Sequence, residues 1–297
     1  MNCLIEALHS HGARSPHRMA VDTVVDFPVD YHLFSQLVRT FAGELASQFS
    51  RNRPIAVQIG NGLAKAILDL ALIEAKLAQL TLPTTLSASD TASALAWNGA
   101  QAAYLNSTIR IQLQNTLPIA QLSRRLLRLA YVPSGAGKFK RVSLAVDLLV
   151  EIAASLVRSC EQQDFDRHLA LQPAWSLVEA VAGFYATIMA GGTYIVPPPH
   201  LIGLENPVRP DFVRLVRALG ELRITSLVVD RRQLSGLVSA IEAGGSRLPL
   251  LKRVVVDGRA LPNALAERCR AAGLPVTTLA QSASFTEPAS GPFMAQS

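Results

Sequence analysis

The sequence predicts a large α/β protein in which helices flank mainly parallel sheets. The chain has 297 residues, 49% of them hydrophobic, which is enough for a large core built as one big domain or two packed subdomains. Only 6% are aromatic, so the core must be aliphatic, as suits parallel strands that are buried on both faces. Strand-like and helix-like segments alternate almost throughout, and such alternation predicts crossover units and a parallel sheet.

Each element is predicted from its apolar spacing and from the residues that end it. The spacing of Phe34, Val38, Phe41 and Leu45 is helical, whereas short aliphatic runs bounded by turn residues indicate strands. The predicted elements are helix 34–49, strand 55–59, helix 64–77, strand 126–132, helix 143–158, strand 168–171, helix 176–190, strand 193–196, helix 211–219, strand 225–229, helix 232–243, strand 253–256, helix 263–272 and strand 276–279.

The domain organisation is predicted from composition. A proline-rich stretch at 197–210 is the best internal boundary, and it divides one domain, 1–281, into subdomains of roughly 1–200 and 201–281. Residues 282–297 are rich in Ser, Ala and Pro without a periodic pattern, so we expect a flexible tail.

Charge and cysteine content narrow the class of protein. The net charge of +6 fits general solubility or a preference for anionic ligands. A nucleic-acid site is not expected, because the basic run at 124–128 alternates with leucines and has no aromatic residues to stack on bases. Three widely spaced cysteines suggest neither disulfides nor zinc. The N-terminus lacks the apolar run of a signal peptide and no stretch reaches membrane-spanning length, so we expect a cytoplasmic protein.

One segment, 131–142, suggests chemistry. Its glycines, Gly135 and Gly137, would let backbone N–H groups approach phosphate oxygens, and Lys138 and Lys140 would neutralise their charge. An ordinary strand–helix turn with solvated lysines is the alternative. A Walker A loop is excluded by Val132 and Phe139, and a dinucleotide fingerprint needs glycine where Lys140 stands.

This segment resembles the phosphate loop of adenylate-forming enzymes, which include acyl-CoA synthetases, nonribosomal peptide adenylation domains and luciferases. Their loop reads roughly Tyr-Thr-Ser-Gly-Ser/Thr-Thr-Gly-x-Pro-Lys-Gly-Val. The matching residues are Tyr131, Gly137, Lys140 and Val142, and the departures are Pro133, Ala136, Phe139 and Arg141. Pro133 and Ala136 stand where the family has hydroxyl groups that bind pyrophosphate oxygens.

Four further segments resemble the family in order and rough spacing. Residues 30–37 look like its Thr-Tyr-x-Glu-Leu helix start, and 54–83 look like its strand, Asn-containing turn and Lys-Ala-Gly-Ala segment. Residues 257–262 are similar to the Gly-Gly-Glu-Ala-Leu-Pro turn that lies against adenine. Residues 283–287 stand where the family has Tyr-Gly-x-Thr-Glu, and they keep only the final Thr-Glu pair.

The resemblance implies the fold of the N-terminal domain of acyl-CoA synthetases, with ATP and Mg²⁺ as cofactors. It assigns catalytic roles to Lys140, Thr286 and Glu287, with Glu287 holding the metal. It assigns nucleotide binding to Ser134, Gly135, Gly137, Lys138, Gly258, Arg259 and Ala260. Trp175 falls near the segment that borders the family's acyl pocket, although a core tryptophan is the alternative.

The activity implied is ATP-dependent activation of a carboxylic acid as an acyl-adenylate. The family's later Tyr-Arg-Thr-Gly-Asp segment and its C-terminal domain, which carries a catalytic lysine, have no counterpart here. The expected partners are therefore a carboxylic-acid substrate and either a separate C-terminal domain or a carrier protein. Three readings stay open: an incomplete or weak enzyme, an inactive pseudoenzyme that binds or scaffolds, and an unrelated nucleotide-binding α/β protein.

Overall fold

A computed structural model describes residues 2–105, 109–112, 126–135, 138–206, 208–258 and 260–278, and for 109–112, 132–135 and 138 it describes the backbone. The helices are α1 (Cys3–Arg14), α2 (Tyr31–Gln48), α3 (Leu63–Glu74), α4 (Ala88–Trp97), α5 (Val146–Ser159), α6 (Ala186–Ala190), α7 (Phe212–Glu221), α8 (Arg231–Gly244) and α9 (Asn263–Ala271). A π-helical segment, Glu179–Tyr185, leads directly into α6.

The strands form two sheets. Their bounds are β1 (Met19–Asp22), β2 (Val29–Asp30), β3 (Ile55–Gln58), β4 (Gln79–Thr81), β5 (Ala102–Leu105), β6 (Ile109–Gln112), β7 (Leu127–Gly135), β8 (Lys138–Ala145), β9 (Arg167–Leu169), β10 (Thr193–Ile195), β11 (Ser226–Val229), β12 (Arg253–Val256) and β13 (Val276–Thr278).

The seven-stranded sheet has the order β13-β12-β11-β9-β10-β1-β2. Neighbouring strands are parallel from β13 to β1, and only the short edge strand β2 is antiparallel to its neighbour. This sheet takes strands from both sides of residue 200, the position at which the sequence predicts a subdomain boundary.

The six-stranded sheet has the order β6-β5-β3-β4-β7-β8. Its four central strands are parallel, and the edge strands β6 and β8 each run antiparallel to their neighbour. Two mainly parallel sheets flanked by helices confirm the predicted fold class.

The sheets and helices stack in five layers. Ile55 and Val57 on one face of β3 join the largest core cluster, which includes residues of α1, α2, α3, α5 and the π-helical segment and reaches Tyr194 of the other sheet. Ala56 on the opposite face of β3 packs with α4. Beyond the seven-stranded sheet, α7, α8 and α9 bury a second large cluster. Residues i and i+2 of a strand share a face, which explains why one strand serves two cores.

No helix in the described part of the chain is long and apolar enough to cross a membrane.

The segment after β7 differs from the predicted loop and helix. Instead of starting a helix at 143, the chain forms β8, which pairs with β7 from Leu127↔Ala145 to Gly135↔Lys138. Helix α5 begins only at Val146. The prediction of a strand–loop–helix unit here is therefore wrong, because pairing with β7 overrides the helical spacing of the residues before 146.

Gly192 lies where the chain passes too close to another backbone for any side chain. A Cβ added there would stand 1.8 Å from the carbonyl oxygen of Phe165. Since a backbone atom cannot rotate away, we expect Gly192→Ala to lower the free energy of unfolding by about 2 kcal/mol or more.

The matched control is Gly43→Ala in α2, where the new methyl group has no atom of the described chain within 4 Å. Removing an exposed helical glycine should raise the free energy of unfolding by about 0.5–1 kcal/mol. Urea titrations followed by circular dichroism measure both, and equal midpoints for the two variants would contradict the packing described for Gly192.

Candidate active site at the carboxyl ends of the strands

The carboxyl ends of strands from both sheets meet at one place. Asn61 follows β3, and its Nδ2 donates a hydrogen bond of 2.8 Å to the carbonyl oxygen of Gln172, which follows β9. We call the region around this contact the carboxyl-edge crevice. In open α/β sheets, ligands bind outside the carboxyl ends of parallel strands, so the crevice is the first place to seek a site.

One wall of the crevice is the β7–β8 hairpin. Phe139 of β8 meets Trp175 edge to face, with ring centroids 6.2 Å apart and planes at 84°. Trp175 is half-buried, not sealed in the core. Lys140 follows Phe139 and pairs in register with Val132. The structure thus places Trp175, the predicted acyl-pocket residue, against the β7–β8 hairpin. The same hairpin carries the predicted phosphate-binding residues, of which the structure describes the backbones of Ser134, Gly135 and Lys138.

The other predicted wall follows β12 in the seven-stranded sheet, two strands away from β9. Gly258 has φ +118°, and no atom of the described residues lies within 4 Å of the position of a Cβ. Within the described part of the chain, its backbone is therefore open on the side that a flat ligand would approach. Arg231, at the start of α8, donates from Nη2 to the carbonyl oxygen of Ala260 at 3.3 Å and holds the turn.

A buried polar cluster fixes the loop that carries Trp175. Glu179 Oε1 lies 3.0 Å from His168 Nε2 and accepts a hydrogen bond of 3.2 Å from the Tyr194 hydroxyl. Glu179 Oε2 accepts from the backbone N–H of Gln172 at 3.3 Å. The pKa of Tyr194 is raised well above its usual value, mainly by burial and secondly by the negative charge of Glu179. The Tyr194 hydroxyl therefore keeps its proton and donates the hydrogen bond. Glu179 belongs to the π-helical segment, and such segments are frequent at functional sites.

A second link ties this loop to the next strand. The side-chain amide of Gln172 donates to Gln233 Oε1, which also accepts from the backbone N–H of Asp230 at 3.0 Å. Asp230 caps α8 directly after β11. Side chains and main chain thus join the ends of β3, β9 and β11 into one rigid edge.

Comparison with known proteins identifies the fold. No family model and no curated protein matches the sequence. Solved structures do match. One is the AMPPNP-bound form of the nonribosomal peptide synthetase FmoA3, which superposes with a TM-score of 0.75 at 19% sequence identity. The match covers 93% of this chain and 31% of the FmoA3 chain. The chain has the adenylate-forming fold. It matches the AMP complex of O-succinylbenzoate coenzyme A synthetase (MenE) from Bacillus subtilis with TM-score 0.68 and 16% identity, over 91% of this chain and 71% of that one.

A third match with the adenylate-forming fold is VinN in complex with L-aspartate. Its TM-score is 0.71 at 14% identity, over 93% of this chain and 74% of that one. The chain spans about a third of the FmoA3 chain and about three quarters of VinN. The predicted resemblance to the N-terminal domain of adenylate-forming enzymes is therefore confirmed at the level of the fold.

Several predicted residues of the adenylate-forming site lie outside the described residues. These are Gly137, Arg259, Thr286 and Glu287. The prediction that Glu287 holds Mg²⁺ therefore stays a prediction. Within the described ranges, no three His, Cys, Asp or Glu side chains are grouped so that they could hold a metal ion.

The structure adds residues that the sequence did not single out as site residues. Asn61, Gln172, Gln233 and Asp257 all follow strands at the crevice or stand at the start of the helix after one. A signal was present in the sequence, because each polar residue comes within a few positions of the end of a predicted strand. What the sequence could not show is that ends from two different sheets meet.

Asp257 is placed where its charge is unfavourable. Partial removal from water, and then the negative charge of Asp230, raise the pKa of the Asp257 carboxyl above its usual value. Because the pKa of this carboxyl is higher in the folded than in the unfolded chain, the folded chain holds more protons in the window just above pH 4. The free energy of unfolding therefore falls as the pH rises through that window. Asp257→Asn should therefore raise the free energy of unfolding at pH 7, by about 0.5 kcal/mol or less because solvent screens the group.

The measurement is a pair of urea titrations at pH 4 and pH 7 for the wild type and Asp257→Asn. The difference between the two proteins should be larger at pH 7. A gain that is larger at pH 4 would show that Asp257 is stabilised by its surroundings as an anion.

Proposed function

We propose that the chain binds ATP and a carboxylic acid in the carboxyl-edge crevice and supports ATP-dependent formation of an acyl-adenylate. The observation that carries the proposal is the Phe139–Trp175 contact, which joins the hairpin bearing the lysines to the predicted acyl-pocket residue. The matching structures of FmoA3, MenE and VinN were solved with AMPPNP, AMP and L-aspartate bound, which supports a nucleotide and an acid as ligands of this fold.

The chemistry sets the roles of the residues. A carboxylate oxygen attacks the α-phosphorus of ATP, the bond from that phosphorus to the bridging oxygen breaks, and pyrophosphate leaves with the electron pair. Negative charge grows on the phosphate oxygens, so fixed cations and N–H donors lower the barrier. In the proposal, Lys138 and Lys140 supply the cations, Ser134, Gly135 and Gly137 supply donors, and Trp175 borders the acid.

The nucleotide base would lie on the turn from Gly258 to Ala260. The space beside Gly258 would fit a flat ring, since no side chain of the described residues blocks the backbone there. Mg²⁺, with Glu287 as its proposed ligand, would neutralise phosphate charge in the same reaction. Thr286 would donate a hydrogen bond to the α-phosphate.

A binding protein without catalysis is the second candidate. Pro133 stands opposite Phe139 in the β7–β8 ladder, where the resembling family has a hydroxyl residue. Proline offers neither an N–H nor a hydroxyl to a phosphate. Such a protein would keep the crevice and bind nucleotide, as a scaffold or sensor beside active enzymes.

One experiment separates these candidates. Exchange of labelled pyrophosphate into ATP is measured with the full chain over a panel of aliphatic, aromatic and amino acids, alone and with an adenylate-forming C-terminal domain added as a separate chain. Calorimetry with Mg·ATP is run in parallel. Acid-dependent exchange supports the enzyme, binding without exchange supports the binding protein, and the absence of both refutes the two proposals together.

A further inference from the structure

A groove outside the crevice combines an apolar floor with two arginines on its lining. It lies between α7 and α8 on the outer side of the seven-stranded sheet and has a volume of about 430 Å³. Its floor includes Val216, which is buried, and Ala240. Val213 on its rim is 63% exposed, although it is a β-branched apolar residue. An apolar floor that continues onto an exposed apolar rim is typical of a contact surface. We call it the α7–α8 groove.

Two arginines, Arg217 and Arg247, line the same groove. Among the residues that the structure describes, neither guanidinium forms a hydrogen bond or an ion pair with another side chain. Glu221 stands one turn after Arg217 on α7 but does not approach it within ion-pair distance, and Glu242 of α8 is engaged by Arg268 at 2.6 Å. The neighbouring carboxylates therefore leave both cations available.

The charge of the surrounding region strengthens the case. Residues 201–278 contain 12 Arg and Lys and 7 Asp and Glu, so this quarter of the chain carries a surplus of five positive charges. Residues 1–200 contain 16 and 14, a surplus of only two. The field of the protein thus favours an anionic partner on this side.

The shape of the groove selects an extended partner over a compact one. Its walls are helices of 10 and 14 residues, so it offers a track about 15 Å long, or about three helical turns. Gly220 and Gly244 line it, and at Gly220 none of the described residues has an atom within 4 Å of the position of a Cβ. Small residues allow a third helix to approach closely, as ridges pack into grooves.

We propose that the α7–α8 groove docks an acidic amphipathic helix of a partner protein. The apolar face of that helix packs on Val213 and Val216, and its carboxylates pair with Arg217 and Arg247. This is the helix-in-groove mode of recognition, in which apolar side chains at i, i+3, i+4 and i+7 supply the anchors. The groove begins at Ala240, two turns beyond the Gln233 of the crevice, so docking leaves the proposed active site open.

The test uses the full chain and a fluorescein-labelled synthetic peptide of about four turns, with leucines on one face and glutamates on both flanks. Fluorescence anisotropy should show saturable binding that weakens as salt is added. A peptide with lysine in place of each glutamate should not bind. Arg217→Glu combined with Arg247→Glu should weaken binding by about tenfold or more, because like charges then face each other.

Two further variants separate docking from folding. Arg214→Glu is the matched control, because Arg214 lies on the same helix but outside the groove, with its Cβ against the segment at Gly203. It should leave binding unchanged. Gly220→Leu places a side chain in the groove at a position where a Cβ meets no atom of the described residues within 4 Å. It should abolish binding while the circular dichroism spectrum stays that of the wild type.

The proposal is overturned by any of three results: no binding of the glutamate peptide, equal binding of both peptides, or unchanged affinity after the double arginine reversal. Octyl sulfate is added as a competitor at concentrations below its micelle formation. If it alone binds to the groove and the peptide does not, the occupant is a small anionic amphiphile and the helix proposal fails.

Discussion

Asp69→Ala is expected to lower the free energy of unfolding by about 3–5 kcal/mol, because it removes the anion from a buried cluster of charges. Asp69 is 97% buried, and its carboxylate lies 2.5 Å from Lys65 Nζ and 3.5 Å from Arg128 Nη2. Its other oxygen accepts a hydrogen bond of 2.6 Å from Gln79 Nε2. One anion therefore holds two buried cations, and its loss leaves both without a counter-charge.

The cluster also couples the two halves of the fold. Arg128 belongs to β7 of the six-stranded sheet, and its Nη1 donates a hydrogen bond of 2.6 Å to the hydroxyl of Tyr185 in the π-helical segment. That segment packs next to the seven-stranded sheet and carries Glu179. Burial already lowers the pKa of Lys65 to about 8, and the charge of Asp69 limits that fall. Without Asp69, Lys65 should lose its proton at neutral pH.

Urea unfolding followed by circular dichroism measures the effect. Asp147→Ala is the matched control, since it removes an exposed aspartate from the first turn of α5 and should cost about 0.5 kcal/mol. If Asp69→Ala cost no more than Asp147→Ala, the buried cluster would contribute little to the fold.

Lys140→Ala is expected to lower acid-dependent pyrophosphate–ATP exchange by about 100-fold, the loss typical when one donor to a developing charge is removed. Lys140 is half-buried and follows Phe139 on β8, so its side chain leaves the opposite face of the strand from the ring that contacts Trp175. A cation there, held by a two-stranded ladder, would meet the phosphates in a fixed position. This effect rests on the proposed enzyme activity.

Two controls accompany this variant. Lys140→Arg keeps the charge and should retain more activity than the alanine variant. Lys252→Ala removes an exposed lysine before β12 and should leave the exchange rate unchanged. Equal rates for the wild type and Lys140→Ala, in a protein that still unfolds cooperatively, would remove Lys140 from the site.

Much of the fold could be predicted because its core strands carry local signals. The run Arg253–Val256 is a strand in the sequence and in the structure, and Asp211 caps a helix in both. The edges carried weaker signals. Strand β8 exists because β7 supplies its hydrogen-bond partners, while the spacing that follows it is helical. The glycines flanking Ala136 were a hairpin signal as much as a phosphate-loop signal.

The candidate site could be predicted only in part, for a physical reason. Trp175 and the 131–142 segment were both identified, yet nothing local says that their rings touch. Asn61 belongs to the Asn-containing turn that was identified within residues 54–83. Its hydrogen bond to Gln172, however, depends on how two sheets are packed across a helical layer. Local patterns fix which residues follow a strand, and tertiary packing decides which strand ends meet.

The central claim is that the carboxyl-edge crevice binds the nucleotide, and hydrogen–deuterium exchange with and without Mg·AMPPNP tests it most directly. Binding there should slow amide exchange in two separate stretches, the β7–β8 hairpin at 131–145 and the turn after β12 at 256–262. Full exchange in both stretches at saturating nucleotide, or protection confined to other parts of the chain, would contradict the claim.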